Sequence, residues 1–401
     1  MGSFIPGSMR AVVFKGPFEV EVVTRATRHI REPTDAILKV SSTALCGSDL
    51  HYYRGHQKST PGFVCGHETV GHVVALGDSV QNFQIGDHVV VPFSTACGDC
   101  FYCKQGESSR CSKGVLFGCI TPAFAVDGGQ AEYVRVLHAA SSLVKAPPGI
   151  PEDMLVLMAD VFPTGYFAAS RFLKDLPKTQ QEDTIAVVLG CGPVGICAIA
   201  SAIYLTGGQA KVFAVDSIPE RLEAAKKLGA IPVNLSDNPV EKIKEAWSGR
   251  GADVVMEIVS HADALELAFD LVRPFGKISS VGVHNEQISF PGFALYSRNV
   301  TMVFGRCPVR SIFDETAAVL EKLKVKLGFL CQKKMSLEEA PEAFKLFEKQ
   351  KSNQDKNRNE AKNNPAAAAV VVSGSASASP AAPPAPLVVA AAAAAAAAVA
   401  G

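Results

Sequence analysis

Thr184-Ile-Ala-Val-Val-Leu-Gly-Cys-Gly-Pro-Val-Gly195 decides how the middle of the chain folds. Thr184–Leu189 is an apolar run of the length that a buried strand needs. Gly190, Gly192 and Gly195 follow at once, and Val194–Leu205 then has the composition of an apolar helix. A second apolar run, Lys211–Val215, leads into Asp216, 21 residues past Gly195. Glycines at this spacing let the backbone approach a pyrophosphate at a helix N-terminus, where free N–H groups and the helix dipole favour anions. The bare G-x-G-x-x-G pattern is weak. Between a strand and a helix, with an acid closing the next strand, it reads as a dinucleotide-binding turn. Asp216 can accept hydrogen bonds from both hydroxyls of an adenosine ribose and would repel a 2′-phosphate, which selects NAD over NADP. Arg221 is either a contact to that ribose region or a solvated helix charge.

Working outward, Pro219–Leu228 reads as a helix stopped by Gly229, and Asp253–Ile258 and Lys277–Val283 read as further buried strands. Strand–helix alternation of this kind predicts an α/β fold with a parallel sheet covered by helices. The first third differs. Arg10–Phe14, Ala36–Val40, Val70–Leu76 and His88–Val91 are short alternating segments, so this part is mostly β. Near the end, Ser336 and Glu339 form a capping-box pattern leading into a helix over Ala340–Phe347. Past Lys349 the pattern breaks, and residues 352–401 are expected to be a disordered low-complexity tail; from Asn363 onward no residue is charged.

The 401 residues hold 39 basic and 39 acidic side chains, a net charge of zero that argues against a dedicated nucleic-acid binder or a polybasic membrane anchor. No signal-like start and no long strongly apolar run occurs, so a cytoplasmic protein without membrane attachment is expected. Its eleven cysteines are then thiols or metal ligands.

Cys97, Cys100, Cys103 and Cys111 lie in one loop after a strand. Four thiolates at this spacing suit tetrahedral zinc with no open position, a structural site. Cys46 and His67, in Cys46-Gly-Ser-Asp-Leu-His51 and Gly66-His67-Glu68, offer a soft anion and an imidazole for a catalytic zinc. Such a site needs a third ligand from further along. Asp49 is either an acceptor for the His67 ring N–H or a cap for the segment it begins.

Gly66-His67-Glu68 with Gly71, Gly77 and Val80 resembles the signature of the zinc-containing alcohol dehydrogenases of the medium-chain family, and the four-cysteine loop sits where that family carries its structural zinc. The resemblance spans roughly residues 10–350. It implies a GroES-like, mostly-β catalytic domain over 1–158, with 311–351 returning to it. It also implies a Rossmann doubly wound coenzyme domain over 159–310. Asp160 is implied as the third catalytic-zinc ligand and Glu68 as a residue that exchanges onto the metal or stands beside it. Thr164 and Gly282 are implied to pass the nicotinamide of NAD. Asp160 with Phe-Pro-Thr-Gly-Tyr166 after it is similar to formaldehyde dehydrogenases and some secondary-alcohol dehydrogenases. Cys46-Gly-Ser-Asp-Leu-His is similar to polyol dehydrogenases.

The resemblance implies two zinc ions per chain and hydride transfer between a small alcohol (or its aldehyde or ketone) and NAD. Ser48 and His51 are implied as a proton relay from the buried site, and the assembly is expected to be a homodimer or homotetramer. Formaldehyde oxidation or dismutation is the rival within enzymes. A non-catalytic nucleotide-binding protein is the rival from another class, although such a protein should have lost ligands. Tyr52 and Phe93 are pocket candidates by position, and His284 is expected to play no part.

Overall fold

The computed structural model describes residues 5–121, 124–285, 287–359 and 370–373. The chain divides into two compact units. Of the described residues, one comprises those up to Pro163, Pro308–Lys349 and Val370–Ser373; the other is built on Thr164–Cys307. The first junction falls a few residues later than the sequence suggested, which leaves Asp160 in the first unit rather than the second. The cause is local: the stretch Met154–Ala159 is buried, and the Phe93 N–H donates to Ala159 O at 3.0 Å.

The first unit is built on a largely antiparallel sheet. Its order runs Lys334–Ser336, Val370–Ser373, Ala36–Leu45, Thr69–Leu76, His88–Val91 and Val144–Lys145, with Tyr133–Val136 also on Ala36–Leu45. Alternation puts Leu38, Val73, Val89, Val91, Val134 and Val136 into one core. The helix Val309–Leu327 returns from late in the chain to this unit: Ser108 and Ser311 hydrogen-bond reciprocally at 3.4 and 3.3 Å.

The second unit carries six parallel strands in the order Ile231–Asn234, Lys211–Asp216, Ile185–Leu189, Ala252–Glu257, Val272–Ser280, Thr301–Phe304. In sequence order this is 3-2-1-4-5-6, the doubly wound arrangement. Strands buried on both faces read as apolar runs: Ile185, Val187, Val255 and Ile278 are fully buried. Each such side chain contributes about 1.5–3 kcal/mol through burial. The winding reverses between Ile185–Leu189 and Ala252–Glu257, and a dinucleotide binds at such a switch point.

Two expectations near the end of the chain need correction. The helix from Ala340 continues to Asn359, with Lys351, Gln354, Lys356 and Arg358 as ordinary helix formers. Val370–Ser373 forms a strand, its β-branched run fitting between the edges of Lys334–Ser336 and Ala36–Leu45. The rest of the expected tail lies outside the described residues. The capping box at Ser336 is present, with its N–H donating to Glu339 Oε2 at 2.6 Å, although a 3₁₀ turn precedes the helix.

Candidate active site

Cys46 follows the strand Ala36–Leu45 directly and sits at the N-cap of the short helix Gly47–Tyr53. His67 and Glu68 precede the neighbouring antiparallel strand, and Thr43 Oγ1 donates to Glu68 O at 2.6 Å. Gly66 adopts φ +87°, and a Cβ there would lie 2.5 Å from Gln130 Cγ, so only glycine lets His67 turn inward. Asp160 comes at the end of the turn Glu152–Ala159, which is buried from Met154 onward. These four elements bring one ligand atom each from Cys46, His67, Glu68 and Asp160 within 4.8 Å of one another.

Asp49 takes both roles that the sequence left open. Its Oδ2 accepts the Cys46 N–H at 2.8 Å, capping the helix, and its Oδ1 faces His67 Nδ1 at 3.3 Å. That leaves His67 Nε2 pointing at Asp160 Oδ2, 3.6 Å away, and Glu68 Oε1, 3.8 Å away. Burial alone would lower the imidazole pKa, but the Asp49 charge and hydrogen bonds to Asp160 and Asp49 outweigh it and hold it well above its ordinary value. Burial pushes the Cys46 thiol up. Burial, with the Asp160 carboxylate beside it, pushes Glu68 up to about 8. Both Glu68 oxygens are buried, and neither has a hydrogen-bond partner among the described residues. A desolvated carboxylate facing a thiol, an imidazole and a second carboxylate is strongly unfavourable unless a cation sits among them. The donor set, soft sulfur with imidazole and carboxylate, suits zinc.

The Ser48 hydroxyl accepts from Cys46 Sγ at 3.8 Å, and His51 lies three residues on, on the same face of the helix. The Phe93 ring stands edge-on to His67 at 6.4 Å, and Tyr52 packs edge-on to Phe63 at 6.0 Å.

The four cysteines of the Cys97–Cys111 loop also bring their sulfurs within 4.8 Å of one another. Backbone donors aim at them: Cys97 N–H to Cys111 Sγ at 3.2 Å and Cys100 N–H to Cys97 Sγ at 3.4 Å. N–H groups of Cys103 and Ser112 pull the Cys100 thiol down to about 5, whereas burial, with Cys100 and Cys111 alongside, pushes Cys103 up to about 12. Four thiolates cannot share this space near neutral pH without a cation, and an all-sulfur set suits structural zinc.

In the second unit, Gly190 has φ +90° and Gly192 is the N-cap of the helix Pro193–Leu205. A Cβ on Gly195 would lie 1.8 Å from Gly190 O, whereas Gly192 faces open space. Asp216 closes its strand with Oδ2 accepting the Cys191 N–H at 2.8 Å and Oδ1 the Ile218 N–H at 3.0 Å. Arg221 Nη1 stands 3.4 Å from the same carboxylate. Gly282 passes so close to Ser260 that a Cβ would lie 2.7 Å from its hydroxyl. Thr164 opens this unit as a half-buried residue on the helix Val161–Leu173.

Residues 32–148 match the family model described as alcohol dehydrogenase GroES-like domain, and residues 193–323 match zinc-binding dehydrogenase. The chain is 49% identical over 342 residues to zinc-type alcohol dehydrogenase B of Aspergillus flavus, covering 84% of this chain and 78% of that protein. The chain belongs to the zinc-containing alcohol dehydrogenases of the medium-chain family. Sorbitol dehydrogenase of Bacillus subtilis is 34% identical over 288 residues, covering 70% of this chain and 77% of that one. The solved structure of alcohol dehydrogenase TADH from Thermus sp. ATN1 has a TM-score of 0.80 and 35% identity, covering 91% of this chain and all of that one.

As a member of the zinc-containing alcohol dehydrogenases the protein is an oxidoreductase acting on small-molecule alcohols, with the GroES-like and Rossmann folds that the family combines. Among the described residues no helix is long and apolar enough to cross a membrane. One group that the sequence passed over is His284. Its side chain is largely covered and bonded to Glu257, and the only signal in the sequence was its place two residues after Gly282.

Proposed function

We propose a zinc-dependent, NAD-linked dehydrogenase that interconverts an alcohol with its aldehyde or ketone and holds two zinc ions per chain. The observation that carries this reading is the buried Glu68 carboxylate, without a hydrogen-bond partner among the described residues, beside Cys46, His67 and Asp160. Cys46, His67 and Asp160 would hold the catalytic zinc, with Glu68 exchanging onto it, and Cys97, Cys100, Cys103 and Cys111 the structural one. When bound, zinc supplies Lewis acidity toward the substrate oxygen and NAD supplies the hydride acceptor.

The chain's own residues do the rest. Ser48 Oγ, held beside Cys46 Sγ, accepts the substrate hydroxyl proton, and His51, one turn on, holds it near solvent. Asp49 fixes the His67 tautomer so that Nε2 stays free to ligate. Phe93 and Tyr52 flank the metal ligands with apolar surface. Gly190, Gly192 and Gly195 leave room for the pyrophosphate, Asp216 with Arg221 receives the adenosine ribose and disfavours NADP, and Thr164 and Gly282 face the nicotinamide. The first unit, as the catalytic domain, and the second, as the coenzyme domain, follow from this assignment. A cytoplasmic homodimer or homotetramer fits the same reading, and sedimentation of the purified protein measures the assembly.

A second, finer reading is favoured by Asp160 and the Phe-Pro-Thr-Gly-Tyr166 that follows: hydrated formaldehyde takes the place of the alcohol. NAD⁺ reduction with primary and secondary alcohols, polyols and formaldehyde, alongside metal analysis, tests both. Two zinc equivalents and turnover with an alcohol or polyol are expected. Turnover confined to formaldehyde supports the finer reading. Less than one zinc per chain, with no turnover on any of them, overturns the proposal.

A further inference from the structure

The sheet of the second unit offers two flanks to a dinucleotide lying across the switch point. Asp216 ends the strand on one flank; the loops after Ala252–Glu257 and Val272–Ser280 form the other. Those two loops are joined through a single side chain. Glu257 is fully buried, and among the described residues no lysine or arginine pairs with it. Its Oε1 accepts the N–H groups of Val259 at 2.7 Å and Ser260 at 2.8 Å. Its Oε2 accepts the Ser280 hydroxyl at 2.7 Å and the His284 Nε2–H at 3.0 Å. The same His284 nitrogen lies 3.2 Å from Ser280 Oγ, and its ring meets Phe304 edge-on at 6.2 Å. Above this network the Val283 N–H donates to Ser260 Oγ at 2.9 Å, and Gly282 packs against Ser260 without room for a Cβ.

A buried carboxylate is a poor way to gain stability, since apolar residues of similar volume do as well or better. What it provides here is geometry. Each oxygen is used twice, Oε1 by the loop after Ala252–Glu257 and Oε2 by Ser280 and the loop that follows it, so that one carboxylate ties the backbone at Val259–Ser260 to that at Gly282–Val283. Val259 Cγ2 would also lie 2.8 Å from a Cβ on Gly190, which sets this flank directly beside the glycine turn.

We propose that Glu257 and His284 are positioning residues for the nicotinamide half of the coenzyme, locking the two loops into one floor without touching the ligand's adenosine half. The inference rests on the coenzyme reading given above. The test compares NADH, followed by fluorescence, with ADP-ribose, followed by calorimetry, on the purified holoprotein. His284→Ala is expected to weaken NADH about tenfold while ADP-ribose changes less than about twofold. His284→Gln, which returns a donor near the Nε2 position, is expected to recover most of the loss. Ser280→Ala removes one hydrogen bond to Oε2 with little change of volume and is expected to shift NADH in the same direction by about threefold. Equal weakening of NADH and ADP-ribose overturns the proposal, as does no change in either. Wild-type protein that binds neither probe overturns the coenzyme reading itself.

Discussion

The Cys97–Cys111 loop and the cluster of Cys46, His67, Glu68 and Asp160 each gather four ligand atoms within 4.8 Å, yet they are built by opposite means. The loop takes all four sulfurs from one short stretch, and backbone N–H groups of that stretch serve them. The cluster draws on three distant segments of sequence, mixes sulfur, imidazole and carboxylate, and leaves Glu68 without a hydrogen-bond partner among the described residues. A local, uniform and saturated set can hold a metal and little else. A set assembled by the tertiary fold, with one carboxylate unsatisfied, keeps a position that chemistry can use. On the assignment proposed above, ligand supply, more than ligand number, separates a folding metal from a reacting one.

The sharpest way to break this comparison is Cys46→Ser. It is expected to lower turnover by about 10³-fold or more, since Lewis acidity supplies several kcal/mol of transition-state stabilisation. The melting temperature should move little. NAD⁺ reduction and metal content measured on the same sample check this, and unchanged turnover would show that the mixed cluster is not the reacting one. Asp49→Asn comes next. Losing the charge beside His67 Nδ1 should weaken metal at the mixed cluster about 10–100-fold, measured by competition with a chelator. The four-cysteine metal should stay bound; if both metals are lost together, the two sites are not independent.

Cys100→Ser is the mirror experiment. One zinc equivalent should disappear and the melting temperature fall by about 5–10 °C, the size expected for a loss of a few kcal/mol in a unit of this length. Turnover by the folded fraction should change by no more than about threefold. A large loss of turnover at permissive temperature would erase the distinction. The smallest effect lies outside both clusters, in a buried carboxylate that needs no metal. Burial opposes ionisation of Glu257, but hydrogen bonds from His284 and Ser280 outweigh it and hold the group below its ordinary value of 4.5. Its titration-linked stability is therefore full above that value and fades as pH falls through the depressed one. The stability gap between wild type and Glu257→Gln should narrow with acid over that window, measured by denaturant unfolding. Chelator should leave the narrowing unchanged, in contrast to the Glu68 cluster.

The parts of the molecule that the sequence disclosed are those set by short-range constraint. Gly190, Gly192 and Gly195 announce their turn because a Cβ on Gly195 meets Gly190 O at 1.8 Å, so the spacing is written locally. The four cysteines announce themselves for the same reason. Cys46 and His67 were visible only as fragments, and Asp160 only through the family resemblance, because nothing near it in sequence says that it faces His67. Glu257 and His284 were missed. Their bond joins the ends of two neighbouring strands, and neither carries a motif. The strand Val370–Ser373 was also missed, since three valines in alanine-rich surroundings become a strand only where two open edges are waiting.

That late strand bears on when the molecule becomes complete. Val370 pairs with Leu45, the residue immediately before Cys46, and Val309–Leu327 hydrogen-bonds back to the loop that holds the cysteines. The first unit thus begins to emerge early in synthesis but cannot close its sheet until Val370–Ser373 has been made. The main part of the second unit, Thr164–Cys307, is continuous and can fold in the interval. For the time that takes, the ligand-bearing strands wait with an unpaired edge exposed, which makes the nascent chain, rather than the finished protein, the form most open to self-association.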